Sequence, residues 1–416
     1  MLTLAKAIAI LAYTGAVAAT PVPDAGASFT LESREVHGAP MHQLEHIVDI
    51  KRRAGVEVHP KLAEAANQFA AKRHATLAAR QATGTLYGKS PDPWDTSFIY
   101  PVQIAGKTFR LFGTTAASDL WVYSSAIPKN QTVGHTVYDL NPAHMKPGNF
   151  SIGYDGVNSQ AFGNLYVEPI TVGGITAKTT FGAATQAVED FTNDKTVDGR
   201  FGLGPMEYNF LGETIGSIKT WFREALPQLA KPVFAVAHTK GHGVFDFGFI
   251  NQKKISGPIT WVDNFLEDYW EAYCFYAQGW AVGDQNAKTS ARKMKIHLNS
   301  GTDVSFTDPD VVKAWYSRIP GAVTQDDQGY TIPCNSKPPG WTVVIGGRKF
   351  YTPGCQLISQ PVDDDGKVCL GGLQNIGGGV DFHLFGTNFF KGKYVIHDFT
   401  NPNKVKLGFA LQPGSK

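Results

Sequence analysis

Hydroxyl and amide side chains stand together at two places where an apolar segment of the chain breaks. Thr114-Thr115-Ala116 interrupts residues 109–125, and Asn299-Ser300-Gly301 interrupts residues 296–316. A threonine hydroxyl and an asparagine amide donate and accept hydrogen bonds, but neither takes up or releases a proton near neutral pH unless another group activates it. These residue types therefore predict binding and positioning, not acid–base chemistry of their own.

His297 leaves a catalytic interpretation open. It lies two positions before Asn299, so the two side chains share one face if this segment is a strand. An imidazole within reach of Thr114 would act as the base of an altered chemistry. The alternative is a histidine that only lines the site and bonds to a backbone carbonyl or to water. We favour this alternative, because the sequence shows no third residue that would orient the ring.

Both segments are predicted to contain a strand, a tight polar turn and a second apolar strand. Asp119-Leu120-Trp121-Val122 gives the second strand of the first segment, and Val311-Val312 marks that of the other. From Ser97 onward, short alternating strands are separated by Gly, Asp, Asn and Pro residues, which is typical of an all-β protein. A chain of 416 residues exceeds the size of most single cores, so two lobes are expected.

The order of these landmarks resembles the pepsin-like aspartic proteases, especially the secreted fungal enzymes of the aspergillopepsin and penicillopepsin type. The resemblance runs from about residue 97 to the C-terminus and implies a bilobal fold with a central cleft and a flap hairpin. A carbohydrate-binding sandwich explains the strand density, but not two loop–strand repeats separated by a lobe's length. The further landmarks are residues 101–108 before the first loop, 150–159 as the flap, 197–204 behind the first loop with Arg200 at an apolar position, 232–234 and 245–250 between the lobes, 384–386, and 407–410 as the last strand.

By this resemblance, Thr114 and Asn299 hold the positions of the two catalytic aspartates. The family hydrolyses peptides with two carboxyl groups that share one proton. The chain contains neither Asp-Thr-Gly nor Asp-Ser-Gly. The alternative is that Asp303 restores a carboxyl group, but the glycine turn would then precede the aspartate instead of following it. A pepsin-like protein without aspartic endopeptidase activity is therefore predicted, and residual endopeptidase activity is the contrary alternative.

The resemblance also assigns ligand contacts to the flap and to both loops. The expected ligand is a peptide, a protein segment or a small hydrophobic molecule in the cleft. No cofactor is indicated, and no spacing among the 12 histidines and the acidic or cysteine residues suggests a metal site. The predicted contact residues are Tyr154, Asp155, Gly156, Thr115, Ser300, Gly301 and Thr302.

The N-terminal segment is predicted to direct export and then to cover the body. Residues 1–19 have one lysine, an apolar run and a small-residue end, which is typical of a secretory signal peptide. Residues 20–88 are interpreted as a propeptide, helical over 62–80 and with a dibasic processing site at Lys72-Arg73. The alternative is a surface helix of the body. The N-terminal lobe is predicted at 89–252 and the C-terminal lobe at 253–416.

Secretion allows disulfides among the four cysteines. The resemblance pairs Cys334 with Cys369. Cys274 and Cys355 have no such precedent, so a second bridge and two buried free thiols stay open. Asn130 and Asn149 begin N-glycosylation sequons, with unmodified surface asparagines as the alternative.

The formal charge of +2 gives no electrostatic reason to expect nucleic acid or an anionic membrane as a partner, and a monomer is expected.

Overall fold

The computed structural model describes residues 55–79, 81–153, 160–205, 218–265, 272–326, 329–377 and 380–415, together with Leu44, Ile47, Val48 and Lys51. The predicted signal peptide at 1–19 lies outside these residues. Among the helices of the described ranges, none is both long and apolar enough to cross a bilayer.

The helix predicted over 62–80 is present as α1, Pro60–Ala79. Its sequence is rich in Ala, Leu, Lys, Glu and Gln, which have high helix propensity. Pro60 occupies the first helical position, where its missing N–H has no intrahelical partner to lose. The Lys72-Arg73 pair lies within this helix. That the segment is a propeptide stays a prediction.

The predicted all-β body is confirmed, because the rest of the described chain forms 24 strands joined by turns and short helices. The strands are β1 (Gly84–Lys89), β2 (Ile99–Ile104), β3 (Lys107–Thr114), β4 (Leu120–Tyr123), β5 (Met145–Gly153), β6 (Gln160–Val172), β7 (Ile175–Ala187), β8 (Gly199–Gly202), β9 (Val233–Thr239), β10 (His242–Phe247), β11 (Ser256–Asp263), β12 (Tyr273–Gly283), β13 (Ser290–Leu298), β14 (Ser305–Thr307), β15 (Val323–Asp326), β16 (Gly329–Pro333), β17 (Gly340–Ile345), β18 (Arg348–Thr352), β19 (Ile358–Pro361), β20 (Val368–Gly371), β21 (Leu373–Asn375), β22 (His383–Phe385), β23 (Lys393–Asp398) and β24 (Lys406–Leu411).

Short helices lie between these strands. The α-helices are α2 (Glu189–Asn193), α3 (Trp221–Ala225), α4 (Pro309–Tyr316) and α5 (Thr387–Phe390). The 3₁₀-helices are Pro142–His144, Leu226–Gln228, Gln252–Lys254 and Gly354–Leu357.

The prediction of a strand at Val311-Val312 is wrong, because both residues lie in α4. Pro309 occupies the start of this helix. The buried residues Val311, Val312, Trp315 and Tyr316 follow the spacing of one helical face, not the alternation of a strand. The second strand of this segment is the shorter β14.

Three sheets build the two lobes. A 13-stranded sheet runs in the order β11-β24-β23-β9-β10-β1-β2-β3-β8-β4-β7-β6-β5, so the C-terminal strands β23 and β24 complete a sheet that begins in the N-terminal half. A 7-stranded sheet runs β18-β17-β12-β13-β22-β14-β21, and a 4-stranded sheet runs β15-β16-β20-β19. The boundary predicted at 88/89 falls inside β1, which pairs with β10 along its whole length.

The same strand arrangement occurs behind both polar loops. In the N-terminal half, β8 lies between β3 and β4, parallel to β3 and antiparallel to β4. In the C-terminal half, β22 lies between β13 and β14, again parallel to the first and antiparallel to the second. Each loop therefore starts at the end of a buried strand whose neighbour fixes its position, and the two predicted strand–loop segments form an internal repeat.

The predicted disulfide between Cys334 and Cys369 is present, and it joins the segment after β16 to β20. Cys274 and Cys355 are free thiols, the first buried and the second exposed. The two cysteines therefore form no second bridge, as in the alternative of free thiols. Only Cys274 is buried, as expected for an unpaired cysteine that packs as a small apolar side chain.

Candidate functional site

Thr114 and Asn299 come together where the two polar loops meet. The Thr114 hydroxyl donates to Asn299 Oδ1 at 3.3 Å, across 185 residues of sequence. Thr114 Oγ1 also accepts from the backbone nitrogen of Ala116 at 3.1 Å, and Asn299 Oδ1 accepts from that of Gly301 at 2.9 Å. The Asn299 amide donates to Thr302 Oγ1 at 2.8 Å. This network joins neutral groups by hydrogen bonds, and none of its members carries a charge.

Thr115 and Ser300 bind each other's loops. Ser300 Oγ accepts from the backbone nitrogen of Thr115 at 3.0 Å, and Thr115 Oγ1 accepts from that of Ser300 at 3.1 Å. Both residues are buried. Two backbone donors at the lobe junction are therefore satisfied by side chains of the opposite loop.

Gly301 allows the two loops to approach closely. A Cβ atom at this position would lie 2.7 Å from Thr114 Oγ1 and 2.9 Å from the ring carbon Cε1 of Phe112. These separations are shorter than van der Waals contact, so any side chain at 301 would push the loops apart. In the first loop the corresponding position holds Ala116, whose side chain is partly exposed.

The predicted flap hairpin is formed by β5 and β6. These strands are antiparallel, and their pairing extends to Gly153 opposite Gln160. The predicted contact residues Tyr154, Asp155 and Gly156 lie outside the described residues. The other predicted contacts, at positions 115 and 300–302, are the loop residues described above, so the structure brings this part of the predicted site together.

His297 is fully buried on β13, two residues before Asn299. Its ring stacks on Phe382, with ring centroids 4.3 Å apart and an interplanar angle of 10°. A flat stack of this kind favours a packing role for the imidazole. That the His297 imidazole acts as a base on Thr114 stays a prediction.

Asp303 faces the interior of the C-terminal lobe. Its carboxylate accepts a hydrogen bond from Ser359, on β19, and its backbone oxygen accepts from Thr387 Oγ1 at 3.3 Å. Burial raises the pKa of this carboxyl above its usual range, while the Ser359 hydroxyl acts in the opposite direction. These contacts favour a structural role for Asp303 over that of a replacement catalytic acid.

A cavity of about 250 Å³ lies between β3, β4, β8 and α2. Phe112, Arg200 and Trp121 line it from three adjacent strands, and Phe191 and Asp194 line it from α2 and the residue after it. The sequence indicated Arg200 only as an arginine at an apolar position. The sequence does not predict Phe191, because no local motif indicates that α2 packs against β4.

Asn130 and Asn149 have exposed side chains, Asn130 in a turn and Asn149 on β5. Their glycosylation stays a prediction. Across the described residues, no group of three or more His, Cys, Asp or Glu side chains is placed to hold a metal ion.

Comparison with known proteins agrees with this architecture. The family model for eukaryotic aspartyl proteases matches residues 99–411. The chain is 32% identical to aspartic protease pepA of Leptosphaeria maculans over 419 residues, which cover 99% of both chains. It is 34% identical to aspergillopepsin-1 of Aspergillus clavatus over 330 residues, covering 78% of this chain and 80% of the relative.

A solved structure shares the fold. The aspartic proteinase from Irpex lacteus superimposes with a TM-score of 0.63 at 19% identity, covering 80% of this chain and 98% of that one. With the sequence matches above, this likeness confirms the bilobal pepsin-like fold. The chain belongs to the eukaryotic aspartyl protease family.

Proposed function

We propose that this chain is a secreted pepsin-fold protein that lacks aspartic endopeptidase activity and binds a peptide, a protein segment or a small hydrophobic molecule in its cleft. The observation that carries the proposal is the 3.3 Å hydrogen bond between Thr114 and Asn299. By family resemblance, these are the positions where two carboxyl groups would share a proton.

Neither residue of this pair can perform the proton transfers of the family's reaction. Hydrolysis needs one carboxylate to activate water and one carboxylic acid to polarise the peptide carbonyl, and the two exchange roles. General acid–base catalysis contributes about 10²–10⁴-fold to the rate of an enzyme. With a hydroxyl and an amide in place of both groups, that contribution is absent.

The parts that shape a cleft are retained. The reciprocal hydrogen bonds of Thr115 and Ser300 hold the loops, Gly301 keeps them close, and β5 and β6 form the flap hairpin. A binding role uses all of these features without proton transfer. The N-terminal sequence and the Cys334–Cys369 disulfide support secretion, because such bonds persist outside the reducing cytosol.

The proposal is tested by incubating the purified protein with denatured casein from pH 3.5 to 7, with and without pepstatin. We expect no pepstatin-sensitive cleavage. The matched control is the double variant Thr114→Ala/Asn299→Ala, which removes both side chains of the pair. Cleavage that pepstatin blocks in the natural protein, and that this control lacks, would show an active endopeptidase.

A second candidate is an enzyme with a repurposed cleft that uses His297. The observation in its favour is the position of His297 on β13, two residues before Asn299. His297→Ala should abolish turnover of a small-molecule substrate found by screening, and His297→Gln should not restore it. Unchanged product formation in both variants would remove the histidine from the mechanism.

A further inference from the structure

We propose that Arg200 makes the cavity beside Thr114 a subsite for a carboxylate-bearing part of the cleft ligand. This inference rests on the proposed function, because it specifies the chemistry of the ligand bound in the same cleft. The ligand group expected here is a carboxylate with an apolar or aromatic group next to it.

Arg200 stands in the middle of a row of aromatic side chains. On β8 it is in register with Phe112 of the parallel strand β3 and with Trp121 of the antiparallel strand β4. Its guanidinium carbon lies 4.8 Å from the centroid of the Phe112 ring. A guanidinium held against a ring directs its N–H donors along its own plane, and this fork matches the two oxygens of a carboxylate.

The row lies directly next to the Thr114–Asn299 pair. Thr114 is in register with Gly202 on β8, two residues beyond Arg200. Two residues of a strand span about 6.6 Å. The Phe112 ring also reaches the second loop, since a Cβ at Gly301 would lie 2.9 Å from it. A group bound by Arg200 is therefore within one or two residues of the centre of the cleft.

Two further aromatic side chains line the cavity. Tyr123 and Phe191 line it, and the Tyr123 hydroxyl donates to the backbone oxygen of Phe191 at 2.8 Å, which fixes α2 against β4. The volume of about 250 Å³ exceeds the roughly 150 Å³ of a cavity that binds benzene. The space suits one side chain or one chain end, and not a whole ligand.

Among the described residues that line the cavity, Asp194 is the acidic one. Its Oδ1 accepts from the backbone nitrogen of Thr196 at 2.9 Å and from the Thr196 hydroxyl at 2.6 Å. These bonds hold the carboxylate within its own turn. Arg200 is the basic residue among the described ones that line the cavity, and it is the group that an anionic ligand would meet there.

Two sources would present the same chemistry: the side chain of a Glu or Asp residue, or the C-terminal carboxylate of a peptide. Both are recognised through charge-assisted hydrogen bonds to the guanidinium. The two sources are separated by amidating the C-terminus, which removes the terminal charge and keeps the side chains.

The test uses fluorescein-labelled hexapeptide libraries in which one position is fixed as Glu or Gln, made with free and with amidated C-termini. Binding to the purified full chain is followed by fluorescence anisotropy. At one fixed position, we expect Glu libraries to bind at least about tenfold more tightly than Gln libraries. If the C-terminal carboxylate is the group bound, we expect free-acid libraries to bind more tightly than amidated ones by the same factor. Arg200→Gln should bring the ratio to about one, and Arg200→Lys should keep part of it.

Arg348→Gln is the matched control, because Arg348 also lies over a phenylalanine ring, at 5.5 Å from the centroid of Phe350, but outside this cavity. It should leave the ratio unchanged, and the thermal melting of all variants checks their folding. Tight binding with both ratios near one in the natural protein, or a preference that survives in Arg200→Gln, overturns the inference alone. Absence of binding by every library overturns the inference together with the peptide-binding form of the proposed function.

Discussion

The hydroxyl of Thr115 lies 3.1 Å from the backbone nitrogen of Ser300, and the hydroxyl of Ser300 lies 3.0 Å from the backbone nitrogen of Thr115. The pair is reciprocal and buried, and it connects the two halves of the internal repeat. Removing either hydroxyl would leave a buried N–H without a partner, which is more costly than the hydrogen bond itself is worth. The loops are therefore held by these two residues whatever occupies positions 114 and 299.

We predict that Thr115→Val lowers the free energy of unfolding by about 1–3 kcal/mol, because valine keeps the shape and removes the acceptor for Ser300. Ser300→Ala should act similarly, and the double variant should be less destabilised than the sum of the two. Urea denaturation measures all three. The control is Thr171→Val, whose hydroxyl meets Thr176 at the surface and which should change stability by under about 0.5 kcal/mol. Equal effects of Thr115→Val and the control would contradict the prediction.

We predict that Thr114→Asp and Asn299→Asp together introduce pepstatin-sensitive cleavage of denatured casein, while neither does so alone. Gly301 and Thr302 already place a backbone N–H and a hydroxyl next to Asn299, and both can donate to a carboxylate. Two adjacent carboxyls share one proton, whereas a single one lacks its partner. The measurement is peptide release between pH 3.5 and 5. A single variant as active as the double one would contradict this expectation.

Much of the site follows from the sequence because it is built from local repeats. Each polar loop follows an apolar strand at the same spacing, so the meeting of Thr114 with Asn299 and of Thr115 with Ser300 is predictable once the repeat is recognised. The alternation of polar and apolar residues likewise predicts the sheets. These features can be predicted from short-range sequence patterns and from one long-range pairing, that of the two repeats.

Other features depend on contacts that local patterns do not encode. Val311-Val312 is apolar enough for a strand, and only the preceding Asp308-Pro309 and the later Trp315 and Tyr316 indicate α4. The cavity is formed by three strands and by α2, so the sequence could mark Arg200 as unusual but could not place Phe191 opposite it. The exposure of Cys355 depends in the same way on tertiary packing.

Asp198 is predicted to be the anchor of the strand that carries Arg200. It is fully buried, and its carboxylate accepts from Arg110 Nη2 at 2.7 Å and from Arg110 Nε at 3.1 Å. Asp198→Asn should lower the free energy of unfolding by about 1–3 kcal/mol, since the neutral amide loses the charge-assisted hydrogen bonds that the buried carboxylate accepts from the half-exposed Arg110. The control is Asp139→Asn, an exposed partner of Lys107, which should have an effect below about 1 kcal/mol. Urea denaturation at pH 7 compares the two variants, and equal effects would refute the assignment.

The fold is predicted to lose stability in acid because of two core histidines. Burial lowers the pKa of His238, with Lys391 adding to the effect, and the pKa of His397, in each case to about 3. Above about pH 6.5 the folded and unfolded chains both hold neutral imidazoles. Below it, only the unfolded chain takes up these protons, so the free energy of unfolding falls by roughly 2.7 kcal/mol per pH unit for the pair, until about pH 3. Urea midpoints between pH 4 and 8 should show this loss, and equal midpoints across the range would exclude it.

His397→Leu should remove about half of this acid sensitivity. The His397 ring stacks on Phe234 at 4.2 Å and meets the edge of Tyr273 at 4.4 Å, and among the described residues neither ring nitrogen has a hydrogen-bond partner. Leucine therefore leaves no buried polar group without a partner, and it takes up no proton on unfolding. The slope of unfolding free energy against pH between 4 and 6 should fall by about 1.4 kcal/mol per pH unit. The exposed His242→Gln is the matched control and should keep the natural slope; an unchanged slope in His397→Leu would mean that this histidine is not what makes the fold sensitive to acid.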